Sequence, residues 1–269
     1  MQNYEALPTF DKLLKKIYAY YQTIWREKWK EGIENDWLEN FKNPDDDIEY
    51  REKLNMLYLL SKFMYFGNEE LRQLLYSLFR DLFKYPIVEK IREENGDTTD
   101  LQLIHEKFQY ELSQTRFLGV GNPSESGVHM LYYFRQECNL SKQYFINSGD
   151  IFSTSEIVEN LSDGSSRTYL KSEIKNKDVR RYVFLDDFCG SGSQASQYLK
   201  NLVKNIKFED DKIEVNYLML FSTLAGHNAV RNLNVFNRVD AVYTIDDSFK
   251  AFSDTSRYYN VVPDILIEK

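Results

Sequence analysis

At 269 residues, with 42% hydrophobic and 15% aromatic content, the chain can bury a sizeable core and is not a disordered polymer. Its 34 Lys+Arg against 42 Asp+Glu give a net charge of −8, which excludes a general polyanion binder and confines any nucleic-acid contact to a local face. Cys138 and Cys189 lack metal-ligand spacing, MQNYEALPTF lacks the build of a signal peptide, and no apolar run reaches membrane-spanning length. The expected setting is therefore the cytoplasm, with both thiols reduced and no membrane contact.

From Thr9 to about Arg92 the spacing is helical. Leu13, Leu14, Ile17, Tyr20, Tyr21 and Ile24 mark one face, with Trp25, Trp29 and Trp37 adding bulk. Asn43-Pro44-Asp45-Asp46-Asp47 breaks the pattern, and a second helix carrying Leu54, Leu57, Tyr58, Leu60, Met64 and Tyr65 is expected to end near Gly67-Asn68. A third spans Leu71 to Tyr85, where Pro86 ends or kinks it before Ile87 to Glu94 resumes. The polar run Glu93 to Asp100 predicts a boundary between an α-helical N-terminal domain, 1–100, and a second domain, 101–269. One more helical segment runs from Leu101 to about Gln114. The aromatic stripes read as core, and His105 as an ordinary helix residue.

From Thr115 the rhythm changes to short β-like runs separated by turns and helices. Arg116 to Val120 reads as a strand, Gly121 to Gly127 (GNPSESG) as a tight loop, and Val128 to Gln136 as a helix. Ser124 and Ser126 can donate to an anion and the glycines permit close approach, while Glu125 opposes one; the alternative is a purely structural turn. Gln143 to Asn147 reads as a further strand, and Leu161 to Arg167 as a flexible loop. Lys171 to Arg181 holds five basic residues against two acidic ones, which is either a positive rim beside an anion site or a solvated approach to the next strand.

Tyr182 to Tyr198, YVFLDDFCGSGSQASQY, is where residue types, spacing and local structure converge on chemistry. Tyr182 to Leu185 form an apolar strand that Asp186 and Asp187 end. Gly190, Ser191, Gly192 and Ser193 make a small-residue turn, and Ala195 to Lys204 carry apolar residues at helical spacing. Such a turn lets backbone NH groups face one anion, and the following helix adds the partial positive charge of its N-terminus. Carboxylates at the strand end suit ribose hydroxyls or a divalent metal that itself holds phosphates. Cys189 sits inside the loop but has no His or Asn placed to activate it, so a small buried thiol is expected.

Lys212 to Thr223 is the longest β-like run, His227 to Phe236 a short helix, and Val239 to Ile245 a last strand ending at Asp246-Asp247. Strands alternating with helices imply a mostly parallel α/β sheet, in which ligands bind outside the carboxyl ends of the strands. Among the histidines, His129 and His227 both read as helix-start residues.

VFLDDFCGSGSQ resembles the signature of type I phosphoribosyltransferases: apolar strand, acidic pair, two positions, then a small-residue loop opening a helix. The resemblance implies a ligand of phosphoribosyl pyrophosphate type with Mg2+ on the pyrophosphate and no metal site built by the protein alone. It implies that Asp186 and Asp187 contact the ribose, and that Gly190, Ser191, Gly192, Ser193 and Gln194 hold the terminal phosphate. GNPSESG, with Ser124, Glu125, Ser126 and Gly127, would be the pyrophosphate loop. More narrowly, DDFCGSGSQ, FLGVGNPSESG and the helical first half look similar to phosphoribosyltransferase-like effectors of bacterial conflict systems, including those beside retron reverse transcriptases. That likeness implies antiviral defence and a defence-system protein or nucleoprotein partner. The fold it implies is α/β, a mostly parallel phosphoribosyltransferase-like sheet behind a helical N-terminal domain.

Two other readings use the same letters. DFCGSG is similar to the glycine-rich first motif of S-adenosylmethionine-dependent methyltransferases, although Asn122-Pro123 is followed by Ser124 and Glu125 rather than by an aromatic able to stack a flipped base. A non-catalytic nucleotide-sensing or scaffold module would keep the pocket without turnover.

Overall fold

A computed structural model describes residues 10–26, 30, 32–121, 126–160 and 166–258; the side chains of residues 126–129 and 160 lie outside that description. The chain divides into two compact units, Met1–Leu71 with Asp246–Lys269, and Arg72–Ile245.

In the first unit, α1 (Phe10–Tyr20) runs into a π-helical turn, Tyr21–Trp25, and is followed by α2 (Ile33–Leu38) and α3 (Asp46–Leu60). Leu13, Ile17, Trp25, Leu38, Leu57 and Tyr58 form its core, so the expected apolar face of α1 is indeed turned inward. Asp45 starts α3 by accepting from the amides of Asp47 and Ile48 at 3.0 and 3.2 Å. The helix ends at Leu60, short of the expected Gly67-Asn68. There Ser61 Oγ donates to the Tyr58 carbonyl at 2.8 Å, a local bond that competes with the helical ladder.

The chain enters the second unit along α4 (Asn68–Ser77), which continues through a π-helical turn, Leu78–Lys84, into α5 (Tyr85–Glu94). Pro86 therefore does not end the helix. It sits in the first turn of α5, where a missing NH costs no intrahelical bond, and the wider π turn ahead of it absorbs the mismatch. Next come α6 (Leu101–Ser113), β1 (Thr115–Gly119) and α7 (Ser126–Glu137). A hairpin, β2 (Phe152–Asn160) and β3 (Ser166–Ile174), leads to β4 (Arg181–Cys189), α8 (Ser193–Glu209), β5 (Glu214–Thr223), α9 (Leu224–Arg231) and β6 (Arg238–Ile245).

The central sheet has the order β1-β4-β5-β6 with every pair parallel, as the alternation of strands and helices predicts. Strand alternation gives it two buried faces. Leu118, Tyr182, Phe184, Tyr217 and Met219 pack with Leu199, Val203 and Ile206 of α8 and Val230 of α9. On the other side Phe117 meets Phe83 and Phe134 with ring centroids 5.0 and 5.3 Å apart, and Phe79 and Phe108 complete that aromatic cluster. This packing places α5 and α6 with the sheet, so the division of the chain does not fall at residue 100.

Gln143 to Asn147 is not a strand. Lys142–Tyr144 is a 3-10 turn, and only Phe145 bridges, in parallel, to Phe117 on the outer side of β1. From β1 the chain passes outward to Phe145, and it later returns to lay β4 on the other side of β1. Connections therefore diverge between β1 and β4, which makes that gap the switch point of the sheet. The β2-β3 hairpin stands apart as a two-stranded antiparallel sheet that the sequence reading did not anticipate. Among the described residues no helix is long and apolar enough to cross a membrane.

Candidate functional site

Open parallel sheets bind ligands outside the carboxyl ends of the strands at the switch point. Here the loops leaving β1 and β4 flank that crevice. On the β1 side Gly121 adopts φ +95°, a conformation that disfavours any side chain. Ser124 and Glu125 of the expected pyrophosphate loop lie outside the described residues, while Ser126 and Gly127 fall in the first turn of α7.

On the β4 side the loop is built as a fixed turn. Gly192 has φ +75° and immediately precedes α8; a Cβ there would meet Ala229, Gly226 and Val230 at 3.1 to 3.2 Å. Its carbonyl accepts from Ser196 N at 3.0 Å and Ser196 Oγ at 2.8 Å. The first turn of α8 contains no acidic residue, so the positive end of a seventeen-residue helix is not neutralised by its own side chains. Ser191, Ser193 and Gln194 are exposed there, and Ser191 Oγ lies 2.8 Å from Ser193 Oγ. The structure thus brings Gly190 to Gln194 together at one helix start, beside the crevice.

Sequence reading missed what holds the loop from behind. Thr223 Oγ1 donates to the Gly190 carbonyl at 2.5 Å and accepts from Gly226 N at 2.9 Å, capping α9. Gly226 lets the two segments touch: a Cβ on it would lie 2.6 Å from the Cys189 carbonyl oxygen. Within the turn the Ser193 amide donates to Ser191 Oγ at 3.3 Å, and the Gly192 amide bonds the Cys189 thiol. A Thr followed three residues later by Gly at a strand end is the sequence signal that marks this support.

The two aspartates are not equivalent. β4 continues to Cys189, so they stand inside the strand rather than ending it, and neighbouring strand residues alternate faces. Asp186 is 5% exposed and accepts from the Tyr217 phenol. Burial pushes its carboxyl up to about 6, against the pull of the Tyr217 hydrogen bond and with a further push from Asp187. Burial and the adjacent carboxylate push the Tyr217 phenol well above its ordinary value. Asp187 is half-buried and its Oδ1 accepts from the Phe188 amide at 2.8 Å. Cys189 is 4% exposed, and burial pushes its thiol up, so it is the inert thiol expected.

The basic stretch Lys171 to Arg181 is no rim for this site. Arg181 opens β4, and eight strand steps separate it from Cys189, roughly 26 Å. Its guanidinium is engaged by Glu214 at 2.7 Å and Glu111 at 3.0 Å, while Arg180 pairs with Asp210 at 3.3 Å. Asp246, just beyond β6, accepts from Ser248 N at 2.9 Å as the cap of a short turn, and the Ser248 hydroxyl holds its carboxyl below the usual range. His227 Nε2 lies 2.9 Å from the Val239 carbonyl oxygen and serves packing of α9 on the sheet.

Among solved structures, the chain is similar to the AQ2163 protein from Aquifex aeolicus, with 11% identity, TM-score 0.35, and 81% of this chain and 86% of that chain covered. It is also similar to the Helicobacter pylori xanthine-guanine-hypoxanthine phosphoribosyltransferase, with 8% identity, TM-score 0.26, and 53% and 88% covered. For the APRTase of Giardia lamblia complexed with 9-deazaadenine the identity is 11%, the TM-score 0.28, and the coverage 63% and 83%. The comparison with curated proteins finds no match. The PRTase-CE family model matches residues 34–269, which takes in the whole sheet and both loops of the crevice, and the chain belongs to that family.

Proposed function

We propose that the crevice between β1 and β4 binds a ribose phosphate or nucleotide, with phosphoribosyl pyrophosphate as the ligand that fits best. The observation that carries the reading is the Gly190 to Gln194 turn at the switch point, braced from behind by Thr223 and opening a helix free of acidic residues in its first turn. In this reading Gly190, Ser191, Gly192, Ser193 and Gln194 hold the terminal phosphate, and Asp187, backed by Asp186, meets the ribose hydroxyls. Ser124 to Gly127 would face the pyrophosphate.

Among the described residues no group of three or more His, Cys, Asp or Glu is placed to hold a metal ion. Mg2+ needs only one or two carboxylates when a ligand supplies phosphate oxygens, and the half-buried Asp187 fits that demand. When bound, the ion would neutralise charge on the pyrophosphate. The chain's own share is positioning: the turn fixes the phosphate and the carboxylate orients the ribose for displacement at the anomeric carbon. There the acceptor's bond forms as the bond to pyrophosphate breaks, and pyrophosphate leaves with the electron pair.

Titration calorimetry with phosphoribosyl pyrophosphate and Mg2+, and separately with S-adenosylmethionine, tests the ligand. Heat from the first that disappears in Asp187→Asn supports the reading; binding of the second alone ends it. A sensing or scaffold role has one observation in its favour, the engagement of Asp186 by Tyr217 inside the protein, and ligand bound but never consumed would select it. We further propose, on the resemblance to conflict-system effectors, that the protein acts in the cytoplasm as an antiphage effector with a defence-system protein or nucleoprotein partner. A plaque assay comparing wild type with Asp187→Asn checks that role.

A further inference from the structure

We propose that the outer edge of β3 pairs antiparallel with the same edge of a second copy of this chain, joining two hairpins into one four-stranded sheet. β2 and β3 are each nine residues long and pair only with one another among the described residues, so a full strand's length of backbone is unpaired on either side. A two-stranded ribbon is marginal alone in water, and a long open edge is a template for another strand. The ribbon also exposes apolar side chains that its own chain does not cover: Leu170 is 74% exposed and Val158, on the same face, 61%.

The pattern of charge selects the edge and the occupant. Pairing β3 with a second β3 over its full length centres the two-fold on Leu170. Arg167 then stands opposite Glu173 of the second copy, and Tyr169 opposite its Lys171, each pairing occurring twice by symmetry. Leu170 meets Leu170, which shelters the most exposed apolar group of the ribbon. The same operation on β2 sets Glu156 against Glu156 in a strand that has no Lys or Arg to compensate. Pairing β2 with β3 of another copy leaves both remaining edges open and does not close. Of these arrangements only β3 on β3 is both closed and charge-complementary.

Sedimentation of the full chain over a micromolar concentration series tests this. The wild type should dimerise. Arg167→Glu alone, or Glu173→Arg alone, sets like charges opposite each other twice and should weaken the dimer on the order of tenfold or more. The double exchange, Arg167→Glu with Glu173→Arg, should recover it. Unchanged far-UV circular dichroism confirms that these exposed substitutions leave the fold intact, since the thermal midpoint falls with loss of the dimer alone. A monomeric wild type, a dimer indifferent to the single exchanges, or a double exchange that fails to recover would each overturn the proposal.

Discussion

The phenol of Tyr217 on β5 donates to Oδ2 of Asp186 on β4, joining two side chains that are both buried beneath the crevice. Burial raises the Asp186 carboxyl from 3.8 to about 6. A raised carboxyl stabilises the folded state fully below its unfolded value, and that contribution is lost as the pH climbs through the folded one. Asp186→Asn keeps an acceptor for Tyr217 and removes the titration. Wild type should therefore lose stability relative to the Asn variant between pH 3.8 and about 6, by on the order of 3 kcal/mol. Urea unfolding of both proteins across that window measures it, and parallel curves would sink the assignment.

Removing the donor probes the same pair from the other side. Tyr217→Phe leaves the buried carboxyl without its phenol and should cost about 1 to 3 kcal/mol at neutral pH, with the Asp186 titration moving upward. Carbon-detected NMR of the Asp186 carboxyl reads the second effect directly; no upward movement would mean that the hydrogen bond does not form in solution.

At the opposite end of β4, Arg181 has a side chain only 7% exposed, bonded to Glu214 and Glu111. Arg181→Ala leaves the Glu111 and Glu214 carboxylates without the guanidinium that joins them, but both are about a third exposed and Glu214 keeps Lys90 at 3.9 Å, so the unit should lose about 1 to 3 kcal/mol. Arg181→Lys keeps the charge without the fork that spans both acids, and should lie between. Denaturant midpoints decide; an Ala variant within about 1 kcal/mol of wild type would show that the cluster contributes little.

How far the sequence carried depended on whether a signal was local. The turn after β4 and the helix behind it were readable because Gly190 to Ser193 are small, and because Ala195, Leu199 and Leu202 repeat at helical spacing. The position of Asp186 was not, because the phenol it bonds lies 31 residues away on the next strand. The basic run misled for a related reason: Glu111 and Glu214, which neutralise Arg181, are distant in the chain. The hairpin escaped notice since both its faces are exposed, so Ser153 to Glu159 show no alternation between apolar and polar residues. Pro86 looked like a terminator because a π-helical turn leaves no mark in the sequence.

Ser222 on β5 stands opposite Cys189 in register, is fully buried, and its Oγ has no hydrogen-bond partner among the described residues. An unpaired buried hydroxyl carries a desolvation cost that alanine removes. Ser222→Ala should therefore leave stability unchanged or raise it by up to about 1 kcal/mol, as read from the thermal midpoint. A clear loss would show that the hydroxyl is bonded in solution.

The Gly190 to Gln194 turn, proposed to hold a phosphate, is backed by a residue on its far side. Gly226 in the first turn of α9 lies against the carbonyls of Cys189 and Gly190, and these are backbone atoms that cannot rotate away from an added methyl group. Gly226→Ala must push the turn toward the crevice or push α9 off the sheet. The two displacements give different readouts. If the turn moves, affinity for phosphoribosyl pyrophosphate with Mg2+ falls at least about tenfold while the thermal midpoint drops only a few degrees, because α9 keeps Val230 in the core. If the helix moves, the midpoint collapses first. Thr223→Val adds no bulk at the contact but removes both the bond to the Gly190 carbonyl and the cap on Gly226 N, so it should weaken binding while costing α9 about 1 kcal/mol. Full affinity in both variants would mean that the brace behind the turn has no part in shaping it.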